Sequence, residues 1–164
     1  MKGIHPIIGA VLILIISISI IAIVLETGKQ PTQRIKEMML FKEGKSNLKL
    51  IKSYIERVVE EGEGSSRIAT FSVTNGNYIV EPINDSVTFL METREQIFGV
   101  GVSKVEDGIN IIGEKGKIIM KLNFSSIDLI EGCKFGRGDH EILIKNSGYN
   151  STNEKQIVLV KALR

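Results

Sequence analysis

Few residues in this chain have the chemistry for a reaction. It carries two histidines and one cysteine, and the nearest they come to a constellation is Cys133, Asp139 and His140. The Cys-x6-His spacing matches no usual zinc motif, and no second pair of ligands accompanies it. Cys133 reads instead as a small hydrophobe near a turn, and His140 as the start of a strand. A lone cysteine closes no intrachain disulfide, so the fold must rest on its core. His5, just before Pro6, sits where a helix begins, which suits helix entry better than ligation. The expectation is a protein that is not an enzyme, with no catalytic residue, no metal site and no cofactor.

The glycine motifs add no chemistry. Gly62-Glu63-Gly64-Ser65-Ser66 has the composition of a phosphate loop, but it follows a helical pattern and precedes a strand pattern. That is the reverse of the order that aims backbone N–H groups at a phosphate, so it reads as a helix stop. Gly99 and Gly101 have no third glycine and no helix after them. Arg137-Gly138-Asp139 spells an adhesion tripeptide, which turn chemistry explains equally well. A net charge of +2, without a basic stripe or interleaved aromatics, leaves nucleic acid no electrostatic footprint. The remaining handles are three Asn-x-Ser/Thr sequons, at Asn84, Asn123 and Asn150, candidate acceptors of N-linked glycans.

These groups must be carried by something, and the dominant element is Ile4 to Leu25, a run without a charged residue. As a helix it is about 33 Å long, enough to cross a bilayer. It ends at Leu25-Glu26-Thr27-Gly28-Lys29, with no small-residue cleavage site of the secretory kind, so the apolar segment is expected to stay on the mature chain. Gly9 and Ala10 are small enough to admit a neighbouring helix, and Ser17 and Ser19 can bond carbonyls of their own helix or a partner's. No ionisable group lies deeper in the run, and so no ion path or proton relay is expected.

Lys2-Gly3, the Pro6-Ile7-Ile8-Gly9 core and the serine-dotted aliphatic helix resemble the N-terminus of archaeal type IV pilins and pilin-like proteins, which carry class III signal peptides. The resemblance extends to Leu25; beyond it only the plan agrees. It implies cleavage between Gly3 and Ile4 by a prepilin-type signal peptidase, with Lys2, Pro6, Ile8 and Gly9 as the signal motif. It also implies a helix that first anchors the chain in the membrane and then self-associates in a filament core. Bacterial-type pilins usually place a glutamate at the fifth mature position, where this chain has Ile8. Basic residues weigh against an external body: Lys2 lies on one side of the run, with Lys29, Arg34, Lys36, Lys42 and Lys45 on the other. The positive-inside rule is weak for large translocated domains, and the pilin-like start and the sequons favour an extracellular body.

After the apolar run, Gly28 and Pro31 predict a break over Thr27–Pro31, with a short helix over Thr32–Phe41. Gly44-Lys45-Ser46 predicts a second break, with Ser46 or Asn47 capping an amphipathic helix that runs to about Glu61. Leu48, Ile51, Tyr54, Ile55, Val58 and Val59 form its apolar side. From Arg67 the period becomes two. Asn75-Gly76 predicts a hairpin between Arg67–Val73 and Tyr78–Val80, and Asp107-Gly108 a second between Gly99–Val105 and Ile109–Ile112. Further strands are expected at Ser86–Met91, Lys117–Leu122, Ile127–Ile130, His140–Lys145 and Gln156–Lys161, with a polar loop over Asn146–Asn153.

Helices first and strands afterwards give an α+β class: an N-terminal transmembrane helix, an amphipathic helix and an antiparallel β-sandwich-like domain. The expected divisions are a leader at 1–3, the transmembrane helix at 4–25, a linker and amphipathic helix at 26–64 and a β-rich ectodomain at 65–164. The expected function is a pilin-like surface structural protein, a single-pass membrane protein with an extracellular body. The alternative is a monomeric anchored domain that binds or senses.

Overall fold

The computed structural model describes residues 6–94 and 97–163. One α-helix, α1 (Pro6–Glu61), is followed by ten strands: β1 (Ser66–Val73), β2 (Asn77–Glu81), β3 (Ser86–Glu92), β4 (Ser103–Glu106), β5 (Ile109–Glu114), β6 (Lys117–Asn123), β7 (Ile127–Ile130), β8 (Lys134–Phe135), β9 (Gly138–Asn150) and β10 (Lys155–Ala162). The chain divides into two compact units between Lys36 and Glu37. The class is α+β, as expected.

Neither predicted helix break occurs: α1 runs through Gly28, Pro31 and Gly44 without interruption. A proline inside a helix removes one hydrogen bond and crowds one carbonyl, a local cost that does not by itself end the element. Gly44 has a packing role instead. A Cβ there would stand 2.3 Å from Cε1 of Phe89, so the glycine lets the helix lie directly on that ring.

From Glu37 onward the helix buries one stripe, Glu37, Leu40, Gly44, Leu48, Ile51, Ile55 and Val58, at steps of three or four residues. Leu48, Ile51, Ile55 and Val58 are fully buried, and Tyr54 and Val59 pack half-buried against the same core. The helix stops where Gly62 and Gly64 adopt positive φ. Near its C-terminus, Val58 O accepts from Ser65 Oγ at 2.6 Å and from Asn146 Nδ2 at 3.1 Å.

The strands form a four-stranded sheet, in the order β1-β9-β10-β7, and a six-stranded sheet, β4-β5-β6-β3-β2-β8. This arrangement overturns the first predicted hairpin. Both strands exist, but β1 pairs with β9 while β2 pairs with β3 and β8. Asn75-Gly76 is therefore a passage between sheets. Gly76 has φ +102°, and a Cβ on it would lie 2.5 Å from Cε2 of Phe89. Gly44 and Gly76 thus both make room for one aromatic ring, which also packs 4.6 Å from Tyr78.

The second hairpin forms at the expected turn, where Glu106 faces Ile109 across Asp107 and Gly108, both at positive φ, but its first strand begins at Ser103 and not at Gly99. The β5–β6 hairpin follows, with Glu114 opposite Lys117. Two further features differ from the expected antiparallel plan. β7 runs parallel to β10, and β9 continues through the predicted polar loop as far as Asn150, with a register shift that sets Asn146 against Val158 and Gly148 against Ile157. The strand persists because Asn146, though polar, is wholly buried and bonded.

Candidate functional site

The stretch with the clearest functional character is the first part of α1. Ile8–Glu26 has a mean hydropathy of 3.2 and is long and apolar enough to cross a membrane, and none of it is buried within the chain. An apolar helix near the N-terminus supports a membrane-associated topology. Its large side chains, among them Val11, Ile13, Leu14, Ile18, Ile21 and Leu25, face outward around the helix. Among the described residues nothing buries them.

Individual positions in this helix carry the predicted features to different degrees. Lys2, Gly3 and Ile4, the processing residues of the pilin resemblance, lie outside the described residues. Pro6 opens the helix, where its missing N–H costs nothing. Ile8 is exposed, and with Val11, Leu12 and Ile15 it lines a wholly apolar groove. Beside them, a Cβ at Gly9 would meet nothing within 4 Å. Ser19 Oγ donates to Ile15 O at 2.8 Å, so this serine satisfies its own helix and does not need a partner.

The suspected Cys133, Asp139 and His140 group is not a constellation. Cys133 is half-buried against the core and its carbonyl accepts from Val80 N at 2.8 Å; burial pushes its thiol pKa up. His140 Nε2 lies 2.7 Å from Gly136 O, with its ring 5.2 Å from that of Phe135. Asp139 is exposed on β9 opposite Ser72. Among the described residues no group of three His, Cys, Asp or Glu side chains is placed to hold a metal ion.

The sequons fall at strand ends: Asn84 in a single 3-10 turn between β2 and β3, Asn123 at the end of β6, and Asn150 at the end of β9. Asn84 and Asn123 are exposed and Asn150 is half-buried.

Sequence reasoning missed the polar ties between helix and sheets. Lys45 Nζ bonds Glu106 and lies 3.0 Å from Asp107 Oδ2, which Lys49 Nζ also meets at 2.7 Å. The lysines, Lys49 foremost, pull the Asp107 carboxyl down to about 2. Lys45 in turn is raised, chiefly by its bond to Glu106. Buried Glu37 accepts from Thr93 Oγ1 and, at 3.1 Å, from Arg94 N, tying the chain after β3 to the helix. The spacing of Lys45 and Lys49 marks one helix face, but nothing local says that an Asp-Gly turn will land on it.

No protein-family model matches this chain, and neither a curated protein nor a solved structure shows significant similarity to it.

Proposed function

We propose that this chain is a pilin-like cell-surface structural protein, without enzymatic activity, whose apolar helix anchors it in a membrane and can then pack among copies of itself in a type IV pilus-like filament. The observation that carries this reading is the bare Ile8–Glu26 surface. In a bilayer it is surrounded by equally apolar lipid, with no hydrophobic drive to associate. Outside lipid, each exposed Å² costs about 25 cal/mol, and a bundle of like helices is the covering that a repeated subunit supplies for itself.

The resemblance of Lys2-Gly3 and Pro6-Ile7-Ile8-Gly9 to class III signal peptides supports a mature start at Ile4, made by a prepilin-type signal peptidase. On this reading the two sheets form a sandwich-like extracellular body, and the membrane and sister subunits are the partners. The rival is an anchored extracellular domain that binds or senses as a monomer.

Gly9→Leu separates the two. Because a side chain at this position meets nothing in its own chain, the variant should insert into membranes normally while losing close helix approach. Electron microscopy of surface preparations should show filaments for the unmutated protein and few or none for the variant. Purified unmutated protein that stays monomeric, with an intact Met1 start by mass spectrometry, would make the monomeric anchor the better account.

A further inference from the structure

We propose that Asn123 is the acceptor of an N-linked oligosaccharide, chosen from the three sequons because the folded domain leaves this one open. The inference rests on the extracellular placement of the body in the proposed function. Sequon recognition needs two groups at once, the asparagine amide that reacts and the hydroxyl two residues later. Their exposure differs sharply among the three sites.

In Asn84-Asp85-Ser86 the hydroxyl residue Ser86 is completely buried on β3, and Asn84 Nδ2 donates to Glu81 Oε2 at 3.1 Å. Asp85, between them, accepts from Leu129 N at 2.9 Å and pairs with Lys155 at 2.7 Å, so the tripeptide is pinned in the fold. In Asn150-Ser151-Thr152 the asparagine is occupied at both ends: Nδ2 donates to Asp128 Oδ2 at 3.2 Å, and Oδ1 accepts from Thr152 N at 3.0 Å. This sequon is closed on itself in the β9–β10 turn.

In Asn123-Phe124-Ser125 both Asn123 and Ser125 are exposed while Phe124 is buried between them. The backbone is fixed by Phe124 N donating to Asp85 O at 2.8 Å, which leaves the two reactive side chains outward. Beside them a groove of about 260 Å³ opens between the loop at Asn123–Ile127 and Lys52, Glu56 and Glu60 of α1. Those charged groups suit the hydroxyls of the first sugars of an attached chain.

In the transfer, the Asn123 amide nitrogen bonds to the anomeric carbon of a lipid-diphosphate-linked oligosaccharide. The bond from that carbon to the diphosphate oxygen breaks, the lipid diphosphate departs with the electron pair, and one amide proton is lost.

The test is peptide mass spectrometry on the full-length protein recovered from the membranes of its own cells, with intact cells treated in parallel with an external protease. The expected result is a glycan mass on the Asn123 peptide alone. Asn123→Gln and Ser125→Ala should each lower the intact mass by that one glycan, while Asn84→Gln and Asn150→Gln leave the glycan in place. A bare Asn123, or equal occupancy of Asn84 or Asn150, overturns the proposal. If Asn123 is bare and the body is also protected from protease in intact cells, the extracellular placement has failed with it; if the body is digested, only the glycan assignment has.

Discussion

Asn146 ties β9 to the end of α1 and to the chain just after it, a region remote in sequence. Its Nδ2 donates to Val58 O at the end of α1, its Oδ1 accepts from Gly148 N at 2.9 Å, and its backbone bonds Ser65 and Gly64. Asn146→Ala would leave the buried Gly148 N–H without an acceptor, which costs about 1–3 kcal/mol. The expected outcome is a loss of that size in denaturant unfolding of residues 37–164 with the fold retained. Asp107 makes a pH prediction. Its carboxyl is pulled down to about 2 from an ordinary 3.8, so its ion pairs contribute stability that is fully present above the ordinary value and is lost as pH falls towards 2. Lys45, raised by the same contacts, loses its contribution only as pH climbs through its raised value. A carboxyl NMR titration should place the Asp107 midpoint near 2, and Lys49→Ala should move it back towards 3.8. Asp107 and Lys49 are exposed, so added salt should weaken their pairing.

Where elements meet, α1 and β3 approach through Gly44 and Phe89. Alanine is preferred to glycine inside a helix by about 1 kcal/mol, which taken alone makes Gly44→Ala stabilising. The new methyl would stand 2.3 Å from a ring atom of Phe89, and that ring is held by Tyr78 and approached from the far side by Gly76. Overpacking of this kind costs about 1–3 kcal/mol, so steric crowding outweighs propensity. Gly44→Ala should lower the melting temperature, and Phe89→Leu in the same chain should recover part of the loss. A stabilised Gly44→Ala protein would mean that the ring has space the packing does not show.

For the whole chain, the division between Lys36 and Glu37 separates a segment that buries nothing in its apolar run from one with a continuous core. That core includes the α1 face from Leu40 to Val58 together with both sheets. Residues 37–164 are therefore expected to fold as a soluble monomer. Circular dichroism should show strand content above helix content with a single cooperative transition, whereas an aggregated or unfolded product would show that the preceding helix is needed for folding.

Much of this was legible in sequence because the information was local. The uncharged Ile4–Leu25 run, the stripe at Leu48, Ile51, Ile55 and Val58, the glycines after Glu61 and the Asp107-Gly108 hairpin all depend on neighbours a few residues away. Strand positions were also readable, since alternation of Ala69, Phe71 and Val73 with polar residues is a property of the strand itself. Pairing was not. Asn75-Gly76 permits a tight turn, yet whether the next strand folds back or crosses to another sheet depends on where Phe89 packs and on β9 taking β1 as its partner. The continuity of α1 through Gly44 and the strand character of Asn146 were decided in the same way, by a ring and a helix carbonyl supplied from distant segments. The three sequons look alike in sequence; only tertiary burial of Ser86 and the bonds on Asn150 set Asn123 apart, because exposure is a property of the assembled surface and not of a tripeptide.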